Sequence, residues 1–172
     1  MWESWTYTDY LQDVEIVAKG YNKLGLQKLE GVGIMAPNCP EWYLACIGTM
    51  AAGGVGTGIY TSNSPEMVSR LCSHAPLNIL VLENIQLYEK LLDGRRHEEA
   101  FPTVRNIILF EGETCGRNMV LSWKELMDLG QSQSDQVLRD IESKQGVNEA
   151  ALLLYTSGTT GTPKGKILLC IS

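Results

Sequence analysis

Nearly unbroken apolar runs recur along this chain: VGIMA (32–36), NILVLE (78–83), NIILF (106–110) and AALLLYT (150–156). They lack the polar alternation of a strand with one wet face, so each needs cover on both sides, as the strands of a parallel sheet do. The segments between them read as helices. Leu11, Val14, Val17, Ala18, Tyr21 and Leu24 recur at three and four, with Thr6 or Thr8 as N-cap and Gly25 beyond the end. Residues 41–52 and 85–92 are helical in pattern, and Ser64-Pro65 opens a helix to about His74. SWKE (122–125) is a capping box opening a helix to Leu129, and a polar helix spans about 134–143. VGTGIY (55–60) and KILLCI (166–171) read as further strands, and Gly112–Asn118 as an exposed turn. Alternation of this kind predicts a layered α/β fold, its mainly parallel sheet flanked by helices, and residues 1–172 suffice for one domain or for a piece of something larger.

Charge and cysteine usage exclude several functions. The net charge is -6 and the basic residues are scattered, which argues against nucleic acid as a partner. Five cysteines with no C-x-x-C support neither a disulfide framework nor a zinc site, and point to a reducing intracellular compartment. His74 and His97 have no Cys or second His at ligand spacing and read as solvated or core-edge imidazoles. Cys39, between two prolines, reads as unreactive; Trp42 and Tyr43 read as packing residues, Ser62 and Asn63 as turn residues. The N-terminus has no basic region followed by an apolar run, so no signal peptide is expected. Trp42–Pro65 is uncharged and long enough to span a bilayer, yet it holds five glycines and one leucine. A buried helix, a tight turn and a buried strand account for it better, so no transmembrane segment is expected.

Three glycine-rich stretches invite a phosphate-binding reading. GVGIMA (31–36) matches G-x-G-x-x-A, but it lies within a strand, and Pro37 and Pro40 forbid the helix that a dinucleotide site requires. AGGVGTG (52–58) lacks the third glycine and reads as a close-packed helix-to-strand turn. YTSGTTGTPKG (155–165) is not a Walker loop: five residues after Gly158 stands Pro163, and Gly165 follows Lys164. A P-loop ATPase or kinase is thereby disfavoured. Glycines can still turn successive amides inward as an anion nest. Hydroxyls of Thr156, Ser157, Thr159, Thr160 and Thr162 can donate to phosphate oxygens, and Lys164 supplies a point charge. On composition alone, a solvated Ser/Thr/Gly turn remains the alternative.

The order of residues adds to this. Tyr155–Lys164 resembles, over ten consecutive residues, the phosphate loop of the adenylate-forming superfamily of acyl-CoA synthetases, luciferases and adenylation domains. WTYTDY, LGL and PNCPEWYLACIGTMAAGGVGTGIYTSNSPE follow the order of that family's N-terminal region, and GGVGTGIYTSNSPE and MDLGQS resemble its bubblegum-type long- and very-long-chain fatty acyl-CoA synthetases. The resemblance implies the N-terminal part of an adenylate-forming domain. It also implies ATP, Mg2+ and coenzyme A as cofactors, a long-chain fatty acid as substrate, and a cytoplasmic setting with a peripheral station on the endoplasmic reticulum. Thr156, Ser157, Gly158, Thr159, Thr160, Gly161, Thr162, Pro163 and Lys164 would wrap the β- and γ-phosphates, and none would be a nucleophile. Beyond Gly165 the likeness fails at Lys166. The expectation is an N-terminal fragment of a fatty acid–CoA ligase without turnover on its own. The alternative is a non-catalytic truncated isoform acting through weak nucleotide or partner binding.

Overall fold

A computed structural model describes residues 4–114, 116–117, 119–156 and 164–169. The first helix, α1 (Tyr7–Lys23), is capped by Thr6, whose hydroxyl accepts from the Asp9 amide while the Asp9 carboxylate reaches back to the Thr6 N–H. There follow β1 (Gly31–Met35), α2 (Pro40–Ala51), β2 (Val55–Gly58), α3 (Pro65–His74), β3 (Leu77–Leu82) and α4 (Ile85–Leu92). The chain continues through α5 (His97–Ala100), β4 (Asn106–Leu109), β5 (Val120–Ser122), α6 (Trp123–Gln131), α7 (Gln136–Glu142), β6 (Ala150–Thr156) and β7 (Lys164–Leu169). The sequence signals did not anticipate α5 and β5. The first is four residues long and the second three, too short to show a period.

Among the described residues the sheet has seven strands in the order β5-β4-β3-β1-β2-β6-β7. All neighbours are parallel except β6 and β7. The central strands β1, β3 and β4 each feed two cores. Val32, Ile34, Ile79, Val81 and Ile108 pack under α1, α2, α6 and α7. Met35, Leu80, Leu82, Ile107 and Leu109 pack under α3, α4 and α5. Successive side chains enter opposite cores, which is why the strand sequences do not alternate.

Two close approaches shape these layers. A Cβ on Gly20 would lie 2.7 Å from the Leu126 carbonyl oxygen, and one on Gly130 would overlap the Ile16 carbonyl, so α1 and α6 cross backbone against backbone. In β1, a Cβ on Gly31 or on Gly33 would come within 2.6 Å of a Leu77 methyl. Lys19, on α1, reaches Asp135 at 2.8 Å and ties down the entry to α7. The uncharged segment resolves as expected into α2, a turn with Gly53 at φ +77°, and β2. No helix among the described residues is long and apolar enough to cross a membrane.

Candidate functional site

Parallel strands carry their carboxyl ends to one edge, where ligands of open α/β sheets gather. That edge is formed here by the turns after β1 and β2 and by the end of β6. They enclose a cleft of about 460 Å³ whose walls include Asn38, Trp42, Tyr60, Thr61 and Tyr155. No lining residue is a carboxylate, so an anion entering it meets no like charge at its walls, although the chain is acidic. A roomier cleft of about 620 Å³ lies on the other side of Asn38, walled by Trp5, Tyr7, Tyr10 and Tyr43. It offers aromatic surface and no cation, which suits an apolar group better than a phosphate.

The exit of β6 is asymmetric. Against β2 the ladder runs Gly56↔Leu152, Thr57↔Leu153 and Gly58↔Leu154, and ends there. The Ile59 amide already turns to the Ile34 carbonyl of β1. Against β7 it continues through Tyr155↔Gly165 to Thr156↔Lys164. Thr156 and Lys164, the first and last of the predicted site residues, therefore stand side by side as cross-strand partners, and Lys164 is exposed to solvent. Ser157, Gly158, Thr159, Thr160, Gly161, Thr162 and Pro163 lie outside the described residues.

Tyr155 is 8% exposed, and burial pushes its phenol above the ordinary tyrosine range, with the Cys72 thiol a smaller contributor. Its hydroxyl lies 2.7 Å from Nδ1 of His74 at the end of α3, with the two rings edge to face at 5.8 Å. His74 is exposed, within the expected reading of a solvated or core-edge imidazole, but it has a partner near the end of β6. No local sequence signal marks a contact spanning 81 residues. His97 is a core residue, its ring held between the Tyr88 hydroxyl at 3.0 Å and the Val104 carbonyl at 2.8 Å. Cys39 precedes α2, half-buried, and burial raises its thiol pKa, in keeping with an unreactive role.

For the implied groups the fit differs. Two strand ends joined by a Ser/Thr/Gly segment beside a cleft without carboxylates suit a polyphosphate. A dedicated magnesium cage does not fit: among the described residues no three His, Cys, Asp or Glu side chains could hold a metal.

Known proteins place this geometry. Residues 1–168 match the family described as AMP-binding enzyme. The chain is 39% identical over 168 residues to the long-chain-fatty-acid–CoA ligase ACSBG2 of Xenopus laevis, covering 97% of this chain and 22% of that protein. With the ACSBG2 ligase of Homo sapiens it shares 37% identity over 97% of this chain and 25% of the relative. It therefore spans about a quarter of the length of these relatives. Among solved structures, the anthranilate CoA ligase AuaEII in complex with anthranoyl-AMP superposes with a TM-score of 0.77 at 20% identity, over 97% of this chain and 30% of that one. The long-chain-fatty-acid–CoA ligase FadD1 of Archaeoglobus fulgidus gives 0.75 at 22% identity, over 98% and 30%. These structural likenesses bear out the layered α/β fold, and the relatives bear out the resemblance read from the motifs.

Proposed function

This chain belongs to the AMP-binding enzyme family, and on that premise we propose that it is the N-terminal part of an ATP-dependent long-chain fatty acid–CoA ligase. The observation that carries the reading is the pairing of Thr156 with Lys164, which brings both ends of the hydroxyl- and glycine-rich segment together beside a cleft free of carboxylates. A carboxylate is a poor electrophile. Its oxygen attacks the α-phosphorus of ATP, the bond to the bridging oxygen of the β-phosphate breaks, and pyrophosphate leaves. The coenzyme A thiol then displaces AMP from the acyl-adenylate. Residues 156–164 hold the β- and γ-phosphates and stabilise the charge that gathers on the departing pyrophosphate, with Lys164 as the fixed ammonium. They position and neutralise; none forms a covalent bond.

The test is ATP binding and fatty-acid-dependent ATP–pyrophosphate exchange by the full polypeptide carrying this segment. A charge-assisted contact contributes about 1.5–3 kcal/mol, so Lys164→Ala should weaken ATP binding roughly tenfold or more, and Thr159→Ala less. Unchanged exchange in the combined variant would remove the phosphate-loop assignment. Residues 1–172 by themselves are proposed to retain at most weak nucleotide binding, since the ligases they resemble are about four times as long. Fatty acid- and coenzyme A-dependent AMP release by that segment alone would overturn this part. A cytoplasmic station, peripheral to the endoplasmic reticulum, belongs to the same proposal and is tested by fractionation.

A further inference from the structure

Resting on the reading of the chain as part of a fatty acid–CoA ligase for the lipid setting alone, we infer that the aromatic cleft between the starts of α1 and α2 docks on the trimethylammonium headgroups of a phosphatidylcholine membrane. Trp5, Tyr7 and Tyr10 wall the cleft on one side, and Cys39, Pro40 and Tyr43 on the other. Tyr7 is 94% exposed, and Trp5 and Tyr43 are half exposed. Aromatic side chains ordinarily supply buried area, so three left open beside one cleft mark a surface that binding would cover. The walls are ordered. Trp42 meets the Tyr43 ring edge to face at 5.5 Å, and the Tyr10 phenol is raised in pKa by burial and then by the neighbouring Cys46 and Tyr43.

Charge decides what covers it. Neither residues 1–18 nor residues 29–69 contain a lysine, arginine or histidine, and the described lining of the cleft comes from these two stretches. Carboxylates stand just behind the wall. Asp9 accepts from the Thr6 hydroxyl at 2.6 Å, and its hydrogen bonds to Thr6 hold its carboxyl below the usual value. On the other side burial, and less strongly the Glu41 carboxylate, raises the Cys39 thiol pKa, so Glu41 stands close by. An anion is repelled here, and a primary ammonium keeps its water. A trimethylammonium has no N–H to satisfy and is drawn both to ring faces and to carboxylates. In phosphatidylcholine it lies on the water side of the phosphate, so an approaching protein meets the cation first. The surroundings favour a membrane over a dissolved cation. Exposed Leu11 follows Tyr7 by one turn of α1, and exposed Ile47 follows Tyr43 by one turn of α2. A small cation would leave both wet, whereas the headgroup–acyl boundary covers them, at the depth that tryptophan and tyrosine favour.

The experiment is co-sedimentation of the full polypeptide with vesicles of phosphatidylcholine, with vesicles rich in phosphatidylethanolamine, whose headgroup lacks the three methyls, and with vesicles containing phosphatidylglycerol. Phosphatidylcholine should be bound most tightly. Tyr43→Phe keeps the ring face and should bind like the parent. Tyr43→Leu and Trp5→Leu keep apolar bulk without the ring face, and each should lose about two- to fivefold on phosphatidylcholine and little on phosphatidylethanolamine. Equal binding to these two lipids, tighter binding to phosphatidylglycerol, or a Tyr43→Leu protein that binds like Tyr43→Phe would each overturn the docking. Saturable binding of dissolved phosphocholine that vesicles do not strengthen would overturn the membrane as its source. A cleft covered by the rest of the polypeptide or by a second copy would leave vesicle binding unchanged in Tyr43→Leu while lowering the unfolding midpoint or dissociating a dimer, and would overturn the docking as well. ATP–pyrophosphate exchange separates the two readings: exchange intact with choline selectivity absent defeats the docking alone, and selectivity intact with exchange absent defeats the ligase reading alone.

Discussion

Replacing Gly130 by alanine tests the packing that delivers β6 to its place. In an exposed helix this change would stabilise by about 1 kcal/mol, because alanine is the better helix former. Here the sign should reverse. The new methyl would sit on the Ile16 carbonyl, a backbone group of α1 that has no rotamer to escape into. The helices can separate, but nearby a Cβ on Gly20 would already lie 2.7 Å from the Leu126 carbonyl oxygen, and Val17 and Leu126 are fully buried between the layers. Overpacking of this kind costs about 1–3 kcal/mol and more where backbone must move, so the net loss should be about 2 kcal/mol. Urea unfolding of the full polypeptide, followed by tryptophan fluorescence, reads this out, with Trp123 a local contributor because it opens α6 and packs edge-on against Phe110 at 5.1 Å. The midpoint should fall with no change in slope. Gly146→Ala, where the Cβ would meet the Glu149 side chain at 3.2 Å and no main chain, is the control and should be within about 0.5 kcal/mol of the parent. A Gly130→Ala protein as stable as the parent, or more so, would refute the backbone-to-backbone crossing of α1 and α6.

Three further outcomes are expected. The Lys19 ammonium holds the Asp135 carboxyl below its usual value of 3.8, first by hydrogen bonding and then by charge. A carboxyl depressed in the folded state contributes stability above its unfolded pKa and loses it as pH falls through the folded one. Urea midpoints at pH 6 and pH 3 should therefore differ less in Lys19→Met than in the parent, and an equal difference would refute the pairing. Ser122→Ala removes the acceptor for the Glu125 amide in the α6 capping box and should cost about 1 kcal/mol in the same urea assay; an unchanged midpoint would deny the cap a role. Burial pushes the Cys72 thiol up to about 12 and Cys46 to about 11, so both should resist alkylation at pH 8 until the chain unfolds, and rapid labelling of native Cys72 would contradict its burial.

Local chemistry made most elements legible. Thr6, Ser64 and Ser122 announce helix starts because each hydroxyl supplies an acceptor that an opening turn lacks. Apolar runs mark strands, but only at the centre of the sheet are they covered on both faces: β1, β3 and β4 are buried, whereas β7 is exposed along its length and Leu154 of β6 is 38% exposed. Strand order was not legible, because partner choice is settled over long separations: β6 crosses the sheet through α6 and α7 to lie beside β2. The proposal of Tyr155–Lys164 as a site rests on residue order, because the chemistry it implies needs those groups in succession. The contact between His74 and Tyr155 was not legible, because nothing in the neighbourhood of His74 on α3 points toward β6.

The empty positions in β1 have a consequence for how the strands find their register. In a strand greasy on both faces, sliding by one residue exchanges one apolar set for another, and hydrophobicity hardly distinguishes the two alignments. Shape does. Gly31 and Gly33 leave just the room that Leu77 and Leu80 occupy, and a one-step slip would drive Val32 and Ile34 into those tips. Alignment at the centre of this sheet is thus decided by steric exclusion, through two residues that bring no side chain of their own.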